Sequence, residues 1–317
     1  MILLCGIPSE SPLQLATQAA EDLGIDHLVF NQRHAWSSDI SIDITKGQLS
    51  GTLLYQESEY ALEEFTGVYT RLTDWRTLPE NRPVKDTPPD TERVLRSRVM
   101  HEALAEWIEL ADCRVLNRAR AMASNTSKPY QAQLIAKAGL CVPTTLVTND
   151  PAEVETFFRD HGRVIYKSVS SIRSIVRELG PEDLDRIDRV RHLPTQFQAF
   201  VPGKNIRVHV VGETVFATGI DTDSVDYRYA NRDGLEVEMH PAELPAEIVE
   251  ACLVLSKNLD LPLCGIDLKV TPAGQWYCFE VNPSPAYSYY EQETRQPISR
   301  AIVAYLANGS KGNARQG

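Results

Sequence analysis

Cysteine pairs at metal or redox spacing are missing from this chain of 317 residues: Cys5, Cys113, Cys141, Cys252, Cys264 and Cys278 are scattered, and no two form CxxC. Most sit among apolar neighbours, which predicts reduced core thiols in a cytoplasmic protein rather than zinc ligands or disulfides. Neither the P-loop pattern nor GxGxxG occurs, and no Ser/His/Asp or Cys/His spacing stands out. No apolar run approaches the ~20 residues of a membrane span. The opening MILLCGIPSESP lacks a basic leader, so neither a membrane nor a signal peptide is expected. An excess of positive charge is absent too. The net charge of −11 excludes a chain held on nucleic acid by a general positive field, while leaving room for a local basic pocket. No internal repeat and no low-complexity segment interrupts the chain.

What is present is ordinary globular material: 43% hydrophobic and 24% charged residues, with length enough for two or three subdomains. The chain opens as β-α-β, the start of an open α/β sheet, with Ser11 as the expected N-cap and Pro12 at the first helical position. A hairpin is expected over 40–55, and an amphipathic helix over 95–112 with Val99, Leu104, Trp107 and Ile108 at helical spacing. Beyond residue 118 come a helix from Lys128, a strand ending in Lys167, strands over 195–201, 205–212 and 214–220, and a helix over 245–259. A hairpin follows, formed by 265–271 and 275–282 about Pro272-Ala-Gly274, and then a last helix over 297–307.

That hairpin is the centre of the chemistry. Glu280 and Asn282 are two apart in a strand and leave one face, and pairing about the turn brings Asp267 near it. Two carboxylates and an amide oxygen form a hard, all-oxygen set suited to Mg²⁺ shared with phosphate oxygens. Ile266, Leu268, Phe279 and Val281 surround them, and carboxylates among apolar residues need a metal or a partner. Lys167 either snorkels to the surface or meets a buried anion. Lys128 lies against its helix dipole unless an anion binds at that helix end. Gln198-Ala199-Phe200-Val201 reads as an apolar strand edge whose backbone groups suit a planar heterocycle, with Arg207 on a strand beside it, ready for phosphate. Asp226-Tyr-Arg228 can add a second guanidinium, and His209 reads as a satisfied core or surface histidine.

The order of these features resembles the RimK-like ligases of the ATP-grasp superfamily. SNTSKPYQAQLIAKAGLCVPTTLVT, VIYKSV, QAFVPGKNIRVHVVG, DYR, GIDL, FEVNPSP and YYEQETRQPISRAI carry the resemblance, over about 117–306. It implies an α/β (α+β) fold of three subdomains: an N-terminal open α/β domain over 1–118, a central ATP-grasp subdomain over 119–200, a C-terminal one over 201–308, and a flexible tail over 309–317. It also implies that Lys128 and Lys167 contact nucleotide phosphates, that Gln198, Ala199 and Val201 form the adenine hinge, and that Asn205 lies near the ribose. By the same match Arg207 and Arg228 face the γ-phosphate or the acyl phosphate, and Asp267, Glu280 and Asn282 hold Mg²⁺, with Mn²⁺ as a substitute. Two positions depart from the pattern. Ala199 stands where an acidic residue is common, and 168–174 has no glycine where a glycine-rich loop is common.

The implied activity is an ATP-dependent carboxylate–amine ligase working through an acyl phosphate and releasing ADP and phosphate. Its carboxylate belongs to a small molecule or a peptide, and its nucleophile is an amine or a hydroxyl. Arg71, Arg76 and Arg173 are candidate carboxylate anchors or plain surface arginines. Peptide maturases of the microviridin type, which close ester or amide rings on a ribosomal peptide, are a narrower version, and a non-catalytic ATP-binding protein is the competing class. A homo-oligomer stays open.

Overall fold

Alternating side chains along the last long strands decide where the second half of the protein puts its core. The computed structural model describes residues 1–82, 90–168, 176–222 and 236–309. Arg173, Arg228, the 168–174 loop beyond the backbone of Ser168, and the tail from residue 310 lie outside the described residues. The described chain divides into two compact units. The first is Met1–Arg120 with Ala286–Glu291 and the residues from Pro297 on; the second is Ala121–Pro285 with Gln292–Gln296.

The first unit is built on a parallel sheet. β1 (Ile2–Gly6) is buried along its whole length and pairs with β2 (His27–Asn31) on one side. On the other side it pairs with β6 (Gly67–Thr70), which carries β7 (Arg114–Leu116). A β strand buried on both faces must read as a continuous apolar run, and Ile2-Leu-Leu-Cys5 does. β3 (Asp39–Thr45), β4 (Gln48–Tyr55) and β5 (Ser58–Ala61) form a separate antiparallel sheet, which includes the expected hairpin. The first helix, Ser11–Asp22, has Glu10 rather than Ser11 as its N-cap, with no side-chain cap bond. The helix Thr91–Leu110 buries Ser97, Met100, Leu104, Trp107 and Ile108. Val99, expected on that stripe, is exposed, because the buried arc runs one residue further round the helix. Arg118 closes this helix by donating to the carbonyls of Ile108, Glu109, Ala111 and Cys113. The helix Ile298–Ala307 packs on the first helix, β6 and β7.

The second unit holds two antiparallel sheets, each with its own apolar core. In the smaller, β8 (Thr145–Thr148), β11 (Thr195–Ala199), β9 (Val164–Ser168) and β10 (Arg177–Glu178) lie side by side in that order. Val154, Phe157, Val164, Leu179, Val190 and Phe197 form its core, together with the helix Pro151–His161 capped by Asp150. The larger sheet runs β14 (Glu238–Pro241), β13 (Thr214–Asp221), β12 (Lys204–Val211), β15 (Leu263–Val270), β16 (Trp276–Asn282). One face is apolar: Ile206, Val208 and Val210 on β12, Cys264, Ile266 and Leu268 on β15, and Cys278 and Val281 on β16. The helix Ala246–Asn258 covers it with Ile248, Cys252 and Leu255.

β16 is the edge strand, and it is closed by side chain and backbone together. Gln131, on the helix Lys128–Lys137, donates to the Val281 carbonyl at 2.8 Å and accepts from the Val281 N–H at 2.9 Å. Cys141 donates to the Trp276 carbonyl and accepts from the Cys278 N–H. An edge strand left open exposes backbone donors and acceptors. Here its register is fixed on both sides of Glu280. The turn joining β15 and β16 is closed by Gly274, whose φ of 79° is the left-handed region that a side chain disfavours.

Candidate active site

The polar face of the larger sheet is laid out in rows. Asn205, Arg207 and His209 leave β12 on this face, Gly265, Asp267 and Lys269 leave β15, and Glu280 and Asn282 leave β16. Register sets Arg207 opposite Asp267 and Asp267 opposite Glu280, with Asn205 opposite Lys269 and Gly265 between His209 and Asn282. Arg207 Nη1 donates to Asp267 Oδ1 at 2.8 Å, with the arginine side chain 6% exposed and the aspartate 25%. A Cβ added at Gly265 would stand 1.9 Å from Arg207 Nη2, so only glycine lets the guanidinium lie across β15.

One break in the ladder matters. Asp267 pairs with Glu280 but Leu268 pairs with Cys278, so Phe279 is the extra residue of a β-bulge. In a regular strand Phe279 would leave the face opposite Glu280. Both line the same cleft. The bulge re-aims the ring.

That cleft lies within the second unit. Its walls are Ile165 and Lys167 from the smaller sheet, Val176 just before β10, Phe200 and Val201 from the connection, and Asn205, Asp267, Lys269, Phe279 and Glu280 from the larger sheet. Lys167 is 6% exposed, so it does not snorkel to the surface; it is buried in the wall of a cleft that also holds Asp267 and Glu280. Gln198 lines the cleft, and its side chain donates to Thr145 Oγ1 at 3.0 Å. β11 is an interior strand, not the edge expected. The N–H groups of Ala199 and Phe200 are given to the carbonyls of Thr144 and Arg163. The chain leaves the sheet after Phe200, and among the described residues the Val201 N–H makes no backbone hydrogen bond.

The structure thus gathers Lys167, Gln198, Val201, Asn205, Asp267 and Glu280 into one cleft. Arg207 stands one residue pair away, behind Asp267. Lys128 is the first residue of its helix and is not in the wall. Asn282 Oδ1 accepts from the Ser284 N–H at 2.9 Å, which takes one of the two lone pairs of that amide oxygen. In the first unit, Arg71 is half-buried and ion-paired with Glu10, and Arg76 is exposed and paired with Asp74 at 3.2 Å. Burial opposes the Arg71 charge, and the Glu10 carboxylate and Tyr69 hydroxyl more than restore it.

Two carboxylates opposite each other on one sheet face fit a hard divalent cation that keeps waters and takes its other ligands from phosphate. Among the described residues no group of three His, Cys, Asp or Glu gathers, so a closed all-protein cage is not what this site offers. Sequence reasoning missed Lys269, Phe200 and Phe279. Lys269 Nζ lies 5.4 Å from the centroid of the Phe200 ring and 5.6 Å from that of Phe279. Burial, and then the Arg163 charge, pull its pKa below the usual lysine range. The alternation around Asp267 was a signal that could have found it, since GIDLK places Lys269 on the same face.

The model of the RimK-like ATP-grasp domain matches residues 125–306, more than half of the chain. A probable alpha-L-glutamate ligase of Vibrio vulnificus is 22% identical over 225 residues, 68% of this chain and 74% of that one. The macrocyclase MdnC from Microcystis aeruginosa, solved with its precursor peptide MdnA, superposes with a TM-score of 0.77 at 23% identity, covering 97% of this chain and 100% of that one. The ATP-grasp ligase PsnB, solved with a precursor variant, Mg and ADP, has a TM-score of 0.75 at 25% identity, covering 96% and 97%. The mixed α/β architecture is that of an ATP-grasp ligase, and this chain belongs to the RimK-like ATP-grasp family.

Proposed function

We propose that the protein is a ligase that uses ATP and Mg²⁺ to activate a carboxylate for attack by an amine or hydroxyl, through an acyl phosphate. The observation that carries this reading is the cleft itself: a buried Lys167 and the facing Asp267 and Glu280 share one wall system with the Val201 backbone. Phosphoryl transfer needs charge neutralisation and in-line positioning more than covalent help from the protein. In this reading Val201 N–H and the Gln198 strand end hold adenine, Asn205 lies toward the ribose, and Lys167 neutralises phosphate. Asp267 and Glu280 hold Mg²⁺, which when bound shields the β- and γ-phosphate charge. Arg207 keeps the Asp267 carboxylate in place and brings a guanidinium charge toward the terminal phosphate. Lys128, Asn282 and Arg228 keep supporting roles as proposals.

The balance of the reaction follows. A carboxylate oxygen of the substrate forms a bond to the γ-phosphorus, and the bond from that phosphorus to the β-bridging oxygen breaks, releasing ADP. The nucleophile's lone pair then attacks the acyl carbon, its proton is lost to solvent, and phosphate leaves. A peptide carboxylate is favoured over a free amino acid. In its support, PsnB, solved with a precursor variant, superposes with a TM-score of 0.75 at 25% identity, against 0.58 at 14% for a D-alanyl-alanine synthetase of Vibrio cholerae. Nucleotide chromatography of reactions containing a panel of carboxylates, peptides included, tests the reading. ADP and phosphate should form only with a carboxylate present. A stoichiometric AMP peak would mean attack at the α-phosphate and overturn it.

A further inference from the structure

Lys269 is a cation with an incomplete environment. It is half-buried in the cleft wall, and among the described residues no carboxylate stands within ion-pair reach of it. Two phenyl rings stand beside it and offset part of the cost of desolvating an ammonium through cation–π attraction. The neighbouring charge it feels is Arg163, of its own sign. A desolvated charge without a counter-ion in the fold is a cost that a ligand anion can remove.

Its position says which anion. Lys269 follows Asp267 by two residues on β15, so it stands on the same face, about 7 Å along the strand. The step runs toward Phe200, Val201 and Asn205, the proposed base and sugar end, and away from the row of Arg207, Asp267 and Glu280. A metal held by Asp267 and Glu280 would neutralise the charge of the outer phosphates, and the phosphate nearer the sugar is the α-phosphate. Lys167 reaches the cleft from the opposite sheet, so the two ammonium groups approach from different walls.

We propose that Lys269 is a nucleotide-contacting residue that binds the α-phosphate, so that the cleft reads a nucleoside monophosphate as distinct from a nucleoside. This rests on the ATP reading above. Phe200 and Phe279 flank its ammonium; the β-bulge that turns Phe279 into the cleft therefore serves the lysine as well as the cavity wall.

Calorimetry of the full chain with adenosine, AMP and ADP, in the presence of Mg²⁺, tests it on wild type, Lys269→Met, Lys269→Gln and Lys269→Arg. Loss of a charge-assisted contact should weaken AMP and ADP about 10-fold or more in the Met and Gln variants, leave adenosine unchanged, and be largely restored by Arg. Two neutral variants are used so that a folding defect in one, seen as a lowered Tm, leaves the other to decide. Unchanged AMP affinity, or equal losses for AMP and adenosine, would overturn the assignment while wild-type binding upheld the ATP reading. A wild-type protein that binds none of the three compounds would instead overturn the ATP reading itself.

Discussion

Arg207 and Asp267 are directly opposed on β12 and β15 and joined by a 2.8 Å ion pair inside the cleft's back wall. The pair gives the Asp267 carboxylate a charged partner on the polar face of a strand whose other face packs Ile266 and Leu268 into the core. It also separates the two carboxylates of the candidate metal site by function. Asp267 is held from behind, and Glu280 faces it across β16. Replacing Asp267 by Asn should therefore do two things at once, weakening the metal site and leaving a buried guanidinium with a neutral partner. Glu280→Gln should do only the first. We expect both variants to lose ADP formation. Asp267→Asn alone should lower the Tm, by the equivalent of about 1–3 kcal/mol, the cost of an under-satisfied buried charge. Equal melting temperatures, or ADP formation persisting in Glu280→Gln, would contradict this division of labour.

Gly265 supplies a test of the same pair without touching a charge. Gly265→Ala places a methyl where Arg207 Nη2 lies, and the guanidinium must shift along Asp267 to make room. The expected result is a folded protein whose half-saturating Mg²⁺ concentration rises, with ATP affinity in the absence of metal little changed. Titration of ADP formation against Mg²⁺ reads it. An unchanged Mg²⁺ curve would mean that Arg207 has no part in holding Asp267 for the metal.

Lys167 is buried and its charge has to be matched inside the cleft. Lys167→Met keeps the stem and removes the ammonium. We expect ATP affinity to fall about 10-fold or more, the equivalent of a charge-assisted hydrogen bond. A nucleotide-induced shift in Tm, present in wild type and diminished in the variant, is the simplest readout. Equal shifts would return Lys167 to a structural role.

How far this site could be read in advance depends on the range of the contacts. The hairpin was legible because its signals are local: alternation on either side of Asp267 and Glu280, and Pro272-Ala-Gly274 between them. The parallel sheet was legible from the apolar run at residues 2–5. The interior place of β11 was not, since only pairing with β8 and β9 reveals it, and periodicity carries no information on strand order. The bulge at Phe279 was illegible for a like reason: FEVN reads as a regular strand until its partner's register is known. The same holds for Gln131, whose pairing with Val281 spans 150 residues. Lys269 was passed over because its chemistry lies in its surroundings, one ring from the connection after β11 and one from β16, rather than in its own segment.

His209 makes the last prediction, and it concerns pH. The residue is fully buried on β12, two positions from Arg207. Burial first, and then the Arg207 charge, hold its pKa well below the ordinary 6.5. The sign follows from linkage. Below about pH 6.5 the unfolded chain binds a proton at this imidazole that the folded chain refuses, so acid favours unfolding. The stability that depends on a neutral His209 is thus fully present above pH 6.5 and is lost progressively as pH falls toward the depressed folded value. The slope from one such group reaches at most about 1.4 kcal/mol per pH unit. Urea unfolding followed between pH 7.5 and 5 should show this acid loss in wild type and a shallower one in His209→Gln, whatever its stability at pH 7.5. The chain has 7 histidines, so the comparison of slopes, not the wild-type slope itself, isolates this one. Parallel curves for the two proteins would mean that His209 takes up its proton in the folded state as readily as in the unfolded, and that Arg207 and burial do not hold it neutral.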